Sequence, residues 1–317
     1  MDQAATQLVT GLAAVMHPVE SRTVVEVRAD SAAIAAGMTP SVATARREDR
    51  IAEVDGRAIR VRLYRSDTGT GPAPVLVFAH GGGWVLGDLN SYDSFCDRLT
   101  NESGWTLLSV DYRCSPETQF PGPVEDVTAA LVWLEAHAEE LDVDPMRIAI
   151  GGDSSGGNLA AAVALLARDR DLVPLVGQLL LYPVVHCSST SDAYDESRDT
   201  VLLTAAAMAW FCRHYVSADL DADHPYASPL LAPDLSGLPP TVVVTAEVDP
   251  LFPGIVAYVD RLREADVPTE HLHYDGVFHG FVSFAGAHAV ADAAFAAIVD
   301  ALRSFRTPHS ISEGESR

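Results

Sequence analysis

Lysine is absent from this chain of 317 residues, so all 21 basic side chains are arginines, and 44 acidic side chains leave a net charge of −23. A field of that sign repels phosphate groups and anionic lipid surfaces. We therefore expect neither nucleic acid as a partner nor a stable association with membranes.

Long apolar runs and paired cysteines are missing as well. No run reaches the roughly 20 apolar residues that cross a bilayer, and Asp2 stands where a signal peptide carries a basic residue. These features favour a cytoplasmic protein. The four cysteines form no C-x-x-C pair and have no histidine at metal-ligand spacing, which indicates dispersed reduced thiols. They are Cys96, Cys114, Cys187 and Cys212.

Hydrophobic residues, by contrast, make up 48% of the chain. They fall largely into apolar runs typical of strands covered on both faces, separated by helix-length segments. Strands that alternate with helices predict an α/β fold with a mainly parallel central sheet flanked by helices. The predicted strands are 60–64, 75–79, 106–110, 148–150, 178–182, 241–245 and 271–274, and the predicted helices between and after them are 123–138, 158–170, 253–265 and 288–304.

An N-terminal stretch precedes this alternation of strands and helices, and one later segment interrupts it. Residues 4–16 predict a short amphipathic helix, and polar sequence without a clear pattern follows as far as Asp49. Residues 186–225 contain no predicted strand, only a polar loop and a helix near 204–214, which is typical of a lid inserted into the fold. We expect the catalytic core at 51–185 and 226–308, and a flexible tail at 309–317.

A nucleophile is indicated at residues 152–156, which read G-D-S-S-G and fit the G-x-S-x-G pattern of a nucleophile elbow. In such an elbow a strand turns abruptly into a helix, and small residues on either side of the serine let the two pass closely. The pentapeptide alone is weak evidence, but it stands between a predicted strand and a predicted helix. Ser154 is the predicted nucleophile, and its rival Ser155 lacks the symmetric glycine spacing.

A glycine-rich loop, His80–Trp84, reads H-G-G-G-W and directly follows an apolar predicted strand. Consecutive glycines let the backbone bend until neighbouring N–H groups point at one spot, where they stabilise the oxyanion of a tetrahedral intermediate. We predict that the backbone N–H groups of Gly82, Gly83 and Ser155 form this oxyanion hole. His80 is predicted to brace the loop rather than to transfer a proton.

A serine nucleophile needs a general base, and histidine is the side chain whose ordinary pKa lies near neutrality. His279, late in the chain and just after a predicted strand, is the predicted base among 11 histidines. His271 and His273 alternate along that strand, which favours structural roles. The histidines in or beside the predicted lid are His186, His214 and His224.

The acid that orients this base should lie between nucleophile and base in the sequence, at the end of a strand. Asp249 follows the predicted strand 241–245 and is the preferred candidate. Glu247 falls nearer strand depth, and Asp275 is too close in sequence to His279 to reach its far nitrogen easily, so both are weaker alternatives. The order nucleophile, acid, base is that of α/β-hydrolases.

With these residues assigned, the chain resembles the hormone-sensitive-lipase family of carboxylesterases over about residues 50–305. The H-G-G-G-W loop matches the hallmark of that family, and G-D-S-S-G-G matches its G-D-S-A-G-G motif. D-Y-R-C-S-P-E at 111–117 is similar to the family's D-Y-R-L-A-P-E, and Y-A-S-P at 226–229 and H-G-F at 279–281 also fit. Two departures from the pattern stand out. Ser155 replaces the usual Ala, and Phe252-Pro253 replaces a common Arg-Asp pair, which bears on the shape of the acyl pocket.

The resemblance implies an α/β-hydrolase fold with a helical cap built from residues 1–50 and 186–225, and frequent homodimers. It implies a small-molecule substrate, an ester of short or medium acyl chain, cleaved through an acyl-enzyme without metal or cofactor. A specialised deacetylase or amidase with the same residues is an alternative. A ligand receptor on this scaffold is another, as in related plant hormone receptors that have lost the catalytic histidine, but His279 is present here.

Overall fold

An eight-stranded sheet lies at the centre of the molecule. The computed structural model describes residues 1–37, 45–66, 71–187, 194–217 and 222–305, so the predicted tail at 309–317 lies outside the described residues. The strands are β1 Arg46–Val54, β2 Arg57–Arg65, β3 Ala73–Ala79, β4 Thr106–Asp111, β5 Val143–Asp153, β6 Gly177–Leu181, β7 Thr241–Val248 and β8 Thr269–Phe278. Their order in the sheet is β1-β2-β4-β3-β5-β6-β7-β8.

The sheet is mainly parallel, as predicted. β2 pairs antiparallel with β1 and with β4, and each pairing from β4 through to β8 is parallel. All five residues of β6 are buried, because helices cover both faces of the sheet. Since parallel strands point the same way, the segments that follow β3, β5, β7 and β8 meet at one carboxyl edge, where open α/β sheets usually hold their sites.

Helices connect the strands and cover the sheet. The helices in the described residues are α1 Gln3–Ala13, α2 Val24–Gly37, α3 Asp93–Ser103, α4 Gly122–Ala136, α5 Ser155–Asp169, α6 Ala205–Tyr215, α7 Phe252–Glu264 and α8 Ala289–Ser304. The helices predicted at 123–138, 158–170, 253–265 and 288–304 are confirmed as α4, α5, α7 and α8. α5 is buried along most of its length, because its alanines and glycines let it approach the sheet closely.

Three elements are absent from the sequence-based prediction: α2, α3 and β1. No helix or strand was predicted between residue 16 and Asp49, whereas α2 and the start of β1 lie there. β1 is dominated by charged residues, and Ala52 is its one buried position. It is held by antiparallel pairing with β2 along its whole length. Since β1 begins at Arg46, it crosses the boundary predicted between residues 50 and 51.

The two segments assigned to a cap touch each other. α6 lies within residues 186–225, close to the predicted helix at 204–214, and it contacts the 3-10 turn Val19–Ser21 of the N-terminal segment. Residues 38–44, 188–193 and 218–221 lie outside the described part of the chain. None of the described helices combines the length and the apolar character that a membrane span requires.

Candidate active site

Ser154, Asp249 and His279 lie far apart in the sequence and meet at the carboxyl edge of the sheet. They follow β5, β7 and β8. The imidazole Nε2 of His279 is 2.9 Å from Ser154 Oγ, and its Nδ1 is 2.7 Å from Asp249 Oδ2. Asp249 is fully buried, and its Oδ1 accepts a 2.9 Å hydrogen bond from the N–H of Leu251. Hydroxyl, imidazole and carboxylate form one hydrogen-bonded line, which allows a histidine to accept a hydroxyl proton.

The turn that carries Ser154 is strained and tightly packed. Ser154 has φ +54° and ψ −118°, a conformation that non-glycine residues rarely adopt and that clusters at functional sites. A Cβ on Gly152 would lie 2.3 Å from the carbonyl oxygen of Gly156, and one on Gly156 would lie 2.0 Å from that of Ala79. Only glycine fits at either position, which explains the spacing of the motif. The rival Ser155 is the first residue of α5 and is fully buried.

The alternative acids and histidines have other partners. Glu247 is exposed, and its Oε2 accepts a 2.7 Å hydrogen bond from the N–H of Gly276. Asp275, also exposed, pairs with Nε2 of His273 at 3.2 Å. Nε2 of His271 and Nδ1 of His273 lie 2.8 and 3.0 Å from the hydroxyl of Thr245, which supports structural roles for both histidines.

The glycine loop leaves β3 in a conformation that needs glycine. Gly82 and Gly83 have φ of +114° and +60°. The carbonyl of Gly82 accepts a 2.9 Å hydrogen bond from the N–H of Leu86. Because the C=O and N–H of a trans peptide point in opposite directions, this bond turns the N–H of Gly83 to the other side of the loop. The N–H of Ser155 lies at the start of α5, where the helix dipole favours an anion.

His80 is packed into the base of this loop. Its fully buried ring stacks on Tyr112, with centroids 4.3 Å apart and planes 19° apart. Nδ1 of His80 lies 2.8 Å from the carbonyl oxygen of Gly81, and the hydroxyl of Tyr112 donates to the carbonyl of His80 at 2.8 Å. Burial lowers the pKa of His80, which favours the neutral imidazole. These contacts are those expected of a residue that braces the glycine loop.

Asp153 is a site residue that the sequence motifs did not predict, although it occupies the variable position before the proposed nucleophile. Its buried carboxylate accepts hydrogen bonds of 2.8 Å from the N–H of Gly81 and from the hydroxyl of Tyr92. Burial raises the pKa of Asp153 to about 6, and these two bonds oppose the rise. The aspartate in G-D-S-S-G is the sequence feature that could have identified Asp153 as part of the site. Tyr92 lies in no motif, so no sequence feature identifies it.

Aromatic rings surround the predicted base and the glycine loop. The ring of Tyr182, which follows β6 and has a φ of +35°, meets the imidazole of His279 edge to face at 4.9 Å. From α6, the ring of Phe211 lies against Gly83, where a Cβ would be 2.2 Å from it. Tyr215 of the same helix stacks on Trp84, with centroids 4.1 Å apart. The site is therefore bounded by α6 on the side of the glycine loop.

Known proteins resemble this chain in sequence and in fold. Residues 76–283 match the model of a family with the alpha/beta hydrolase fold. Carboxylic ester hydrolase LipN of Mycobacterium tuberculosis is 40% identical over 232 residues, which are 71% of this chain and 61% of LipN. Carboxylesterase NlhH of the same organism is 39% identical over 242 residues, 75% of this chain and 76% of NlhH. A hyperthermophilic esterase from the archaeon Pyrobaculum calidifontis superposes with a TM-score of 0.88 at 37% identity, over 96% of this chain and 98% of that one. The chain belongs to the α/β-hydrolase family, among its carboxylesterases of the hormone-sensitive-lipase type.

Proposed function

We propose that this chain hydrolyses carboxylic esters with Ser154 as nucleophile, His279 as general base and acid, and Asp249 as the group that orients the imidazole. The observation that carries the proposal is the unbroken line of hydrogen bonds, 2.9 Å from Ser154 Oγ to His279 Nε2 and 2.7 Å from Nδ1 to Asp249. Burial of the carboxylate keeps that line away from competing solvent.

The reaction then proceeds in two halves. His279 takes the proton of Ser154 while Oγ bonds to the ester carbonyl carbon, and the resulting oxyanion accepts hydrogen bonds from the N–H groups of Gly82, Gly83 and Ser155. The intermediate expels the alcohol, which receives its proton from His279, and an acyl-enzyme remains. Water then attacks the acyl carbon and gives a proton to His279. The second intermediate releases the carboxylic acid as Ser154 regains its proton.

Esters of short or medium acyl chain are the proposed substrates. The ring of Phe211 against Gly83, and the stacked pair of Trp84 and Tyr215, restrict the space beside the proposed oxyanion hole. Restricted space favours small acyl groups over long ones. The α6 helix that supplies Phe211 and Tyr215 is thus proposed to act as part of a cap, together with the N-terminal segment.

A series of p-nitrophenyl esters from acetate to palmitate tests this function. We expect the highest kcat/KM between acetate and octanoate, and a loss of at least about 10⁴-fold in folded Ser154→Ala protein. Full activity of that variant would exclude the proposed mechanism. A p-nitroanilide of the preferred acid belongs in the same series, because faster turnover of the anilide would favour the amidase alternative.

We also propose a cytoplasmic homodimer. β8 is a terminal strand of the sheet, and among the described strands it is paired on one side alone, with β7. An unpaired strand edge offers backbone groups to another chain, which supports pairing of two copies. Sedimentation velocity at micromolar concentration should give a dimer, whereas a monomer at that concentration would contradict the proposal.

A further inference from the structure

Arg28 of α2 connects the N-terminal segment to the glycine loop. Its Nε donates a 3.0 Å hydrogen bond to the carbonyl of Val85, the residue that follows the H-G-G-G-W sequence. Its Nη2 donates to the carbonyl of Ser115 at 2.9 Å. The guanidinium also makes two bonds of 2.7 Å to the carboxylate of Glu117. One side chain thus reaches three points on the core.

The hydrogen bond to Val85 is the first of a series that connects Arg28 to the proposed oxyanion hole. The peptide whose C=O accepts from Arg28 has the N–H of Leu86 at its other end, and that N–H donates to the carbonyl of Gly82 at 2.9 Å. The peptide of Gly82 in turn ends in the N–H of Gly83. Two peptides therefore lie in series between the guanidinium and Gly83. Hydrogen bonds in such a chain polarise one another, so a cation at its head strengthens the donor at its end.

The bond to Ser115 fixes the same loop at a second point. The N–H of Ser115 donates to the carbonyl of Trp84 at 2.8 Å, while its own carbonyl accepts from Arg28. Arg28 and Ser115 hold the carbonyls of the consecutive residues Val85 and Trp84. A planar guanidinium can make these bonds at once, whereas an ammonium cannot reproduce the fork.

We propose that Arg28 is a positioning residue for ester hydrolysis, whose guanidinium orients and polarises the two peptides that end at the N–H of Gly83. The inference rests on the proposed function, in which that N–H receives the oxyanion. It also gives the N-terminal segment a part in the chemistry, because Arg28 of α2 bonds to the loop that holds the N–H of Gly83.

The ion pair of Arg28 and Glu117, at the start of this series of hydrogen bonds, keeps its charges over the working pH range. The hydrogen bond to Arg28 lowers the pKa of Glu117 to about 2, so the ion pair persists in neutral and mildly acidic solution. A variant of Arg28 should therefore change the height of the pH–rate profile and leave its limbs in place.

The decisive variant is Arg28→Met, which keeps an apolar stem and removes every donor. We expect kcat to fall about ten- to hundredfold with KM changed less than about threefold, because the oxyanion develops in the transition state and not in the bound ester. The inhibition constant of a trifluoromethyl ketone, whose adduct with Ser154 carries an oxyanion, should rise by the same factor as kcat falls. Arg28→Lys should show an intermediate loss.

Glu117→Gln is the matched control, since it removes the carboxylate from the guanidinium and leaves the bonds to Val85 and Ser115. We expect its kcat within about threefold of wild type. An equal loss in both variants, or a rise in KM alone in Arg28→Met, would reduce Arg28 to an anchor of the cap and overturn the inference. A kcat and an inhibition constant equal to those of the wild type in Arg28→Met would also overturn the inference. If Arg28→Met does not fold, wild-type values of both constants in Arg28→Lys would overturn it instead. Wild-type protein without esterase activity would instead overturn the proposed function itself.

Discussion

The carboxylate of Asp153 accepts a 2.8 Å hydrogen bond from the N–H of Gly81, so the residue before the proposed nucleophile holds the start of the glycine loop. A Cβ on Gly81 would lie 2.5 Å from Oδ2 of Asp153. The first glycine of one motif and the aspartate of the other are therefore sterically matched. Tyr92 donates to the same carboxylate, whose pKa burial raises to about 6.

Replacement of Asp153 by Asn should make the acidic limb of the pH–rate profile less steep. In the wild type, Asp153 is ionised above pH 6 or so and protonated below it, and protonation removes the charge that accepts the N–H of Gly81. We expect log kcat/KM to fall less steeply through about pH 6 in Asp153→Asn than in the wild type, and the maximum of the variant to be lower. Identical slopes, measured with an acetate ester, would contradict this role.

Tyr92→Phe should move the same limb to higher pH. The hydroxyl of Tyr92 lowers the pKa of Asp153, so its removal raises that pKa and protonation begins earlier on acidification. Tyr112→Phe is the control, because that hydroxyl donates to the carbonyl of His80. A limb that stays in place in Tyr92→Phe, or moves equally in both variants, would count against the prediction. Of the tyrosines that interact electrostatically with Asp153 in the described part of the chain, Tyr92 is the one whose hydroxyl bonds to its carboxylate. The other titratable groups near Asp153 there are Tyr112, Tyr182, Cys96 and His279.

Phe211→Ala should shift the substrate preference towards longer acyl chains. The ring of Phe211 lies directly against Gly83, and its removal opens space beside the proposed oxyanion hole. We expect the ratio of kcat/KM for octanoate to that for acetate to rise about tenfold, the lower end of what one methylene group contributes in a hydrophobic pocket. Tyr215→Phe keeps the ring stacked on Trp84 and should leave the ratio unchanged. A constant ratio in Phe211→Ala would show that the acyl chain lies elsewhere.

Much of the site could be predicted because its residues sit where local patterns are readable. An apolar run marks a strand, and Ser154, Asp249 and His279 each follow one. A parallel sheet then brings the strand ends together whatever the distance along the chain. The glycines at 152 and 156 can likewise be recognised in the sequence, because their spacing is fixed by the fold. Backbone atoms of Ala79 and His80 leave no room for a Cβ on Gly156.

Other features depend on contacts that no local pattern encodes. β1 reads R-R-E-D-R-I-A-E-V, and its strand form comes from pairing with β2 rather than from an apolar face. The apolar residues of α2 are spread around the helix instead of forming one stripe. Arg28 acts through carbonyls 57 and 87 residues away. The raised pKa of Asp153 likewise requires the burial that only the folded chain provides.

Covalent labelling with a fluorophosphonate tests the assignment of Ser154 most directly, because this probe reacts with serines activated by a base. Trypsin releases residues 148–168, between Arg147 and Arg168, and fragmentation of that peptide distinguishes Ser154 from Ser155. We predict one phosphonate on Ser154 in the wild type and in Ser155→Ala, none in Ser154→Ala, and strongly slowed labelling in His279→Gln. Labelling of Ser155 in place of Ser154, or unimpaired ester hydrolysis by Ser154→Ala, would contradict the proposed mechanism.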